Sequence, residues 1–220
     1  MSLTASQLHF LLLTAASEII EAEPLLTEID TVIGDGDHGS GMKTGFSALK
    51  QMLENKSFDN PYDLLHQSGL CLIKTMGGAS GVLFGTLFTG GLDTIAGLQN
   101  LDAGQLFQYI SNGVAAIQRR GRAKPGDKTM VDALIAAVEE MEAQLAKSNR
   151  MKDLLQAAYE GAVKGAESTK SMVSRIGRSK NFREKTIGWP DPGAVSVSIL
   201  FHGLYHGYSR LIEGGLSHGT

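Results

Sequence analysis

At 220 residues and 23.4 kDa, with 42% hydrophobic and 20% charged residues, the chain reads as a globular protein of one domain, 1–220. A net charge of −3 gives no overall basic field for nucleic acid. No apolar run reaches the roughly 18 residues of a membrane span, because 82–98 is broken by four glycines and Asp93.

Apolar residues recur at helical spacing almost throughout, and β-branched runs of period two are short and rare. Eight helices are predicted, near 5–22, 40–54, 61–76, 80–97, 103–120, 129–147, 150–172 and 193–211. The class is all-α, an antiparallel bundle or barrel whose loops alternate between two ends, so that several can converge on one rim. The N-terminus lacks the cationic start and cleavage site of a secretion signal, and a cytoplasmic location is expected. The first helix opens on Thr4-Ala5-Ser6-Gln7, a capping-box pattern.

Next comes Gly34-Asp35-Gly36-Asp37-His38-Gly39, with Asp30 just upstream. Unpaired carboxylates are too costly for a core, and Gly and Asp both disfavour helix interiors. The segment is therefore a loop that offers negative oxygens to something positive. A hard cation such as Mg²⁺ suits it, since Mg²⁺ takes few carboxylates and completes its octahedron with water and phosphate oxygens. An EF-hand starting at Asp35 fails, because its twelfth position is Phe46. G-x-G-x-x-G is matched, with Glu54 twenty residues past Gly34, but only Thr31-Val32-Ile33 is available as the preceding strand. A P-loop over Gly36 to Thr44 has Met42 where its Lys belongs. A metal bridging the aspartates to phosphates explains the loop better; the alternative is a surface Asx/Gly turn. His38 has three open roles: ligand to metal or phosphate, proton donor, or an idle exposed imidazole.

The third helix has Asn60 as N-cap, Pro61 at its first position and Asp63 in its first turn. It carries the single cysteine, Cys71, within Leu70-Cys71-Leu72-Ile73. One cysteine excludes an internal disulfide, and this one is expected to be a buried thiol in a reducing compartment. Gly77-Gly78-Ala79-Ser80-Gly81 leads into an apolar helix. It serves either as an anion site at a helix N-terminus or as a close-packing segment, with Gly81 and Gly85 four apart. The fifth helix opens at Asp102 with Gln105 three residues on. Arg122 to Met130 reads as a turn with Asp127 capping the sixth helix. Residues 170–185 hold Lys170, Arg175, Arg178, Lys180, Arg183 and Lys185 against Glu184 alone. That loop is either a solvated charged segment or a lid that grips phosphate, with Arg178 as the gripping residue. Trp189 covers either the core or a ligand. Asp191-Pro192-Gly193 reads first as a helix cap, and His202 and His206, four apart, lack a nearby carboxylate or third His for a zinc site.

Taken together, the 34–39 loop, 77–81, Lys124-Pro125-Gly126-Asp127-Lys128-Thr129-Met130 and Asp191-Pro192-Gly193 resemble the DhaL family, the nucleotide-binding subunits of dihydroxyacetone kinases. The resemblance spans nearly the whole chain. It implies a barrel of eight antiparallel helices with ADP or ATP at one end. It implies two Mg²⁺ ions held between the diphosphate and Asp30, Asp35 and Asp37. By motif, His38, Gly39, Ser40 and Gly41 would line the phosphates with Ala79 and Ser80. Gly121 and Met130 would flank adenine, and Arg178, Asp191, Pro192 and Gly193 would complete the pocket. Asp30, Asp35, Asp37 and Arg178 would carry the chemistry. Implied partners are a DhaK-type ketose-binding subunit, a DhaM-type phosphotransferase-system protein that rephosphorylates the ADP, and a second copy in a homodimer. The chain starts at its own first helix and ends soon after the last, which resembles the separate-subunit branch more than the fused, ATP-using one. Three further functions stay open: an ATP-dependent kinase subunit for another short ketose, a non-catalytic nucleotide-binding regulatory protein, and a metal-dependent phosphohydrolase in which water replaces the ketose hydroxyl.

Overall fold

A computed structural model describes residues 2–121 and 123–214. Among them are nine α-helices: α1 (Ala5–Glu21), α2 (Glu23–Ile33), α3 (His38–Asn55), α4 (Pro61–Thr75), α5 (Gly78–Thr89), α6 (Ala103–Gly121), α7 (Met130–Leu145), α8 (Met151–Ser168) and α9 (Pro192–Glu213). Two-residue strands β1 (Leu3–Thr4) and β2 (Asn100–Leu101) pair antiparallel. Short 3₁₀ turns occupy Leu92–Ile95, Thr169–Ser171 and Ser179–Thr186. The all-α class holds, and no helix among the described residues is long and apolar enough to cross a membrane.

The count of eight misses α2. Pro24 ends α1, yet proline is tolerated in a first helical turn, and a new helix starts one residue beyond Ala22. Its inward face is Leu26, Ile29, Asp30 and Ile33. The expected helix 80–97 stops at Thr89, because Gly90-Gly91 breaks it. A Cβ on Gly91 would stand 2.0 Å from the Tyr109 carbonyl oxygen, so only glycine lets α6 pass there.

Local signals set most helix starts. Thr4 and Gln7 form the capping box. Asn60 accepts from the Asp63 N–H at 2.8 Å, and Asp191 accepts from the Ala194 N–H at 2.8 Å. The expected cap at Asp127 is corrected. Thr129 caps α7 with Asp132 reaching back to it, while Asp127 accepts from the Lys124 N–H at 2.8 Å and closes the preceding turn.

Helix packing closes on itself in the order α1, α3, α4, α5, α6, α7, α8, α9 and back to α1, with α2 attached to α3 and α9. The closing seam needs small residues: a Cβ on Gly203 of α9 would lie 2.4 Å from the Ala15 Cα of α1. Leucines such as Leu11, Leu12, Leu65 and Leu200 fill the interior, along with Phe46 and Phe84 packed edge to face at 6.0 Å. Cys71 is half-buried, not enclosed as expected: it sits one step off the buried face that carries Ser68 and Leu72. Around a ring of alternating helices every second one begins at the same end. The starts of α3, α5, α7 and α9 accordingly line one cleft.

Candidate functional site

That cleft has a volume of about 530 Å³. Four helix N-termini, with their positive dipole ends, lie at it, which favours a multiply charged anion. Gly77 and Gly78 have φ of +68° and +57°, and a Cβ on either would meet nothing within 4 Å. These two serve the turn into α5, whereas Gly81 and Gly85 serve the close approach of α5 to α4. Ala79 and Ser80 also line the cleft.

Three aspartates line the same cleft, and one of them, Asp37, is the N-cap residue of α3. Asp30, on the last turn of α2, is buried and accepts the His38 N–H at 3.0 Å. Asp35 and Asp37 are exposed in the connection to α3, where Gly36 at φ +77° makes the reversal. Ligand oxygens of all three lie within 4.8 Å of one another, a set that suits a hard divalent cation. Such closely spaced like charges favour a cation between them. The Arg178 guanidinium reaches in from the 170–185 segment and bonds both Asp35 and Asp37, the latter at 2.5 Å. The basic segment is thus folded back over the acidic loop, and 176–179 lines the cleft.

His38 begins α3 and is half-buried, not freely exposed. Its Nε2 lies 2.8 Å from the Ser196 hydroxyl, which itself donates to the Pro192 carbonyl at 3.0 Å. That direction makes Nε2–H the donor and leaves Nδ1 as the lone-pair nitrogen. Burial lowers the His38 pKa, opposed by the Asp30 charge and the Pro192 carbonyl. Ser196 had no sequence signal; it is a buried serine within an apolar helix.

Ser40, Gly41, Met130, Asp191, Pro192 and Gly193 line the cleft, together with the unforeseen Thr44, Leu83, Phe84 and Thr129. Gly39 does not line it. A Cβ there would lie 2.2 Å from the Thr27 hydroxyl and 2.5 Å from the Glu23 carbonyl oxygen, so Gly39 lets α2 lie against α3. Gly121 also lies off the wall, beside the lining residue Leu83. Arg122 is outside the described residues. Trp189 is 42% exposed and does not cover the core. A carboxylate does stand by His202 and His206: Glu18 lies 2.7 Å from each Nδ1.

Asp191 is the buried end of the cleft lining, with its N–H donating to the Thr169 hydroxyl at 2.8 Å. Burial pushes its pKa up to about 7; the Ala194 N–H and Lys128 oppose this, while Asp132 and Asp30 reinforce it. A carboxyl whose folded pKa is raised holds its proton more tightly when folded, so its contribution to stability falls as pH rises from about 4 to about 7. Asp191→Asn keeps the capping oxygen and removes the ionisation. Between pH 4 and 8 its urea-unfolding free energy, relative to the parent chain and without added divalent metal, is expected to rise with pH. An unchanging difference would contradict the raised pKa.

Comparison with known proteins identifies the family of the chain. A family model described as DAK2 domain matches residues 32–206. The chain is 36% identical over 189 residues to the PEP-dependent dihydroxyacetone kinase, ADP-binding subunit DhaL, of Escherichia coli (strain K12), covering 86% of this chain and 90% of that one. It is 34% identical over 187 residues to the PTS-dependent dihydroxyacetone kinase, ADP-binding subunit DhaL, of Lactococcus lactis, covering 85% and 89%. It is 33% identical to the D-erythrulose kinase of Mycolicibacterium smegmatis over 84% of this chain but only 32% of that protein. Among solved structures, the dihydroxyacetone kinase from C. freundii in complex with AMP-PNP and Mg2+ superposes with a TM-score of 0.74 at 26% identity, over 94% of this chain and 34% of that one. The all-helical fold is therefore shared with the solved kinase, and the chain belongs to the DAK2-domain family.

Proposed function

We propose that this chain is the nucleotide-binding subunit of a dihydroxyacetone kinase. It binds ADP or ATP with two Mg²⁺ ions, and a DhaK-type partner holds the ketose. One observation carries the proposal: three clustered carboxylates and the starts of four helices line a single cleft. A metal–nucleotide complex has both the cation and the anion that such a lining needs. Asp30, Asp35 and Asp37 fit Mg²⁺, being oxygen donors with one anchored by a backbone N–H and two open to water and phosphate. Bound Mg²⁺ would neutralise phosphate charge and polarise the phosphoryl oxygens.

The chain's own residues do the positioning that phosphoryl transfer chiefly requires. Gly77 to Ser80 and Ser40-Gly41 offer donors to phosphate oxygens. Met130, Leu83 and Phe84 offer an apolar wall to a base. Arg178 stands over the aspartates with a fork that matches phosphate oxygens. Identity to DhaL subunits along most of their length supports a separate subunit rephosphorylated by a DhaM-type protein. Similarity to a D-erythrulose kinase supports a wider set of short-ketose acceptors.

The proposal is tested by mixing the purified chain with Mg²⁺, ATP and dihydroxyacetone and measuring dihydroxyacetone phosphate. None should form until a DhaK-type subunit is added, with a DhaM-type protein and phosphoenolpyruvate as the phosphoryl source. Robust turnover by the chain alone would show that it holds its own acceptor site. Arg178→Ala should weaken Mg-nucleotide binding about tenfold or more, since charge-assisted hydrogen bonds contribute roughly 1.5–3 kcal/mol. Stability should be almost unchanged, because exposed ion pairs contribute little. Calorimetric titration checks the affinity, and unaltered binding would return Arg178 to a surface role.

A further inference from the structure

Lys128 does not line the cleft, yet no other Lys or Arg among the described residues is buried. Its side chain is fully buried. Its Nζ donates to the carbonyls of Thr169 at 2.7 Å, Met172 at 3.2 Å, Thr186 at 2.7 Å and Trp189 at 2.6 Å. Thr169 and Met172 stand at the start of the 169–189 connection and Thr186 and Trp189 at its end, so the ammonium closes the base of a loop. The tip of that loop, 176–179, lines the cleft and carries Arg178 to Asp35 and Asp37. Neutral bonds run along the same base: Gly188 N–H to the Lys170 carbonyl at 2.7 Å, and Ser174 N–H to the Thr186 hydroxyl at 3.1 Å. Without the ammonium, four carbonyl dipoles would converge on nothing positive, which disfavours the closed base.

The backbone at Lys128 has φ +60°, a left-handed conformation in which glycine is comfortable and lysine is not. A lysine held there against that preference supplies something glycine lacks, namely the cation. We propose that Lys128 is a positioning residue: its tethered ammonium closes the base of the 169–189 connection and thereby sets 176–179 over the cleft. Only the consequence for nucleotide rests on the function proposed above; the closure of the loop does not.

Lys128→Gly separates the two demands, since it keeps the left-handed turn and deletes the ammonium. Three readouts apply. Trypsin cleavage at Arg175, Arg178, Lys180, Arg183 and Lys185, mapped by mass spectrometry, reports the loop. Fluorescence of Trp189, the single tryptophan, reports its base. Calorimetry reports Mg-ADP affinity. Loop cleavage should accelerate at least tenfold, with far-UV circular dichroism preserved and Mg-ADP affinity about tenfold weaker. n-Butylammonium, which replaces the deleted side chain, should slow cleavage and restore affinity where NaCl at equal ionic strength does not. Wild-type cleavage in K128G, or acceleration that the amine leaves unchanged, overturns the proposal. If K128G folds only when refolded with the amine, removing the amine should expose 175–185 to trypsin before the helices unfold; simultaneous global unfolding overturns it. Failure of the parent chain to bind Mg-ADP would count against the nucleotide site alone, because the cleavage and fluorescence readouts need no nucleotide.

Discussion

Asp30→Asn is expected to abolish phosphoryl transfer in the reconstituted kinase while leaving the fold in place. Asp30 accepts the His38 N–H at the start of α3, and asparagine can still accept it. What is lost is one of three negative charges whose oxygens converge within 4.8 Å. A metal stabilises developing phosphoryl charge by several kcal/mol, and each 1.36 kcal/mol is a tenfold change in rate, so turnover should fall by about 10³-fold or more. Asp35→Asn and Asp37→Asn should act in the same direction with no effect on stability, because both side chains are exposed. Asp30→Ala should lose the same activity and also roughly 1–2 kcal/mol of stability, through the unsatisfied N–H of His38. Rates across a Mg²⁺ titration, beside urea unfolding of each variant, separate charge from hydrogen bond. Near-parental turnover at low Mg²⁺ in any of the three would remove that aspartate from the site.

Phe46→Ala should cost about 3–5 kcal/mol of stability, the usual range for deleting an enclosed aromatic ring. Phe46 is 1% exposed on α3, and its ring meets that of Phe84 on α5 edge to face. The surrounding helices cannot collapse onto the gap, because each is held by neighbours on both sides of the ring. Since a typical domain is stable by about 5–15 kcal/mol, one such variant removes a large part of the total. α3 and α5 are also the helices that present His38 to Gly41 and Gly78 to Ser80 to the cleft, so nucleotide binding should weaken as the folded fraction falls. Urea unfolding with and without Mg-ADP checks both effects. A loss below about 1 kcal/mol would mean that the interior is not close-packed there.

The helix starts at Thr4, Asn60, Asp102 and Asp191 were legible because each is made by bonds within three residues: Gln7 with Thr4, Asp63 with Asn60, Gln105 with Asp102, Ala194 with Asp191. The Asp/Gly loop was legible for a related reason, since its charge and glycine content are incompatible with a core. α2 was not, because Pro24 is a stop signal for one helix and a permitted first-turn residue for the next, and local chemistry does not distinguish the two. The same limit misassigned the α7 cap: Asp127 and Thr129 are both good capping types, and only the position of Asp132 against Thr129 and Gly126 decides between them.

By itself, then, the sequence determined the all-α class, most of the helix starts and the acidic loop, all of which depend on interactions among near neighbours. Only the tertiary structure decided what those elements face. It gathered four helix N-termini and the aspartates around one cleft, brought Arg178 across 141 residues to Asp37, and turned the His38 ring onto Ser196 across 158. It also enclosed Lys128 among carbonyls 41 to 61 residues away, where its spacing alone read as an ordinary turn. The physical reason is chain connectivity: a ring of antiparallel helices returns every second N-terminus to one end, and residues far apart in sequence meet there only after the ring has closed.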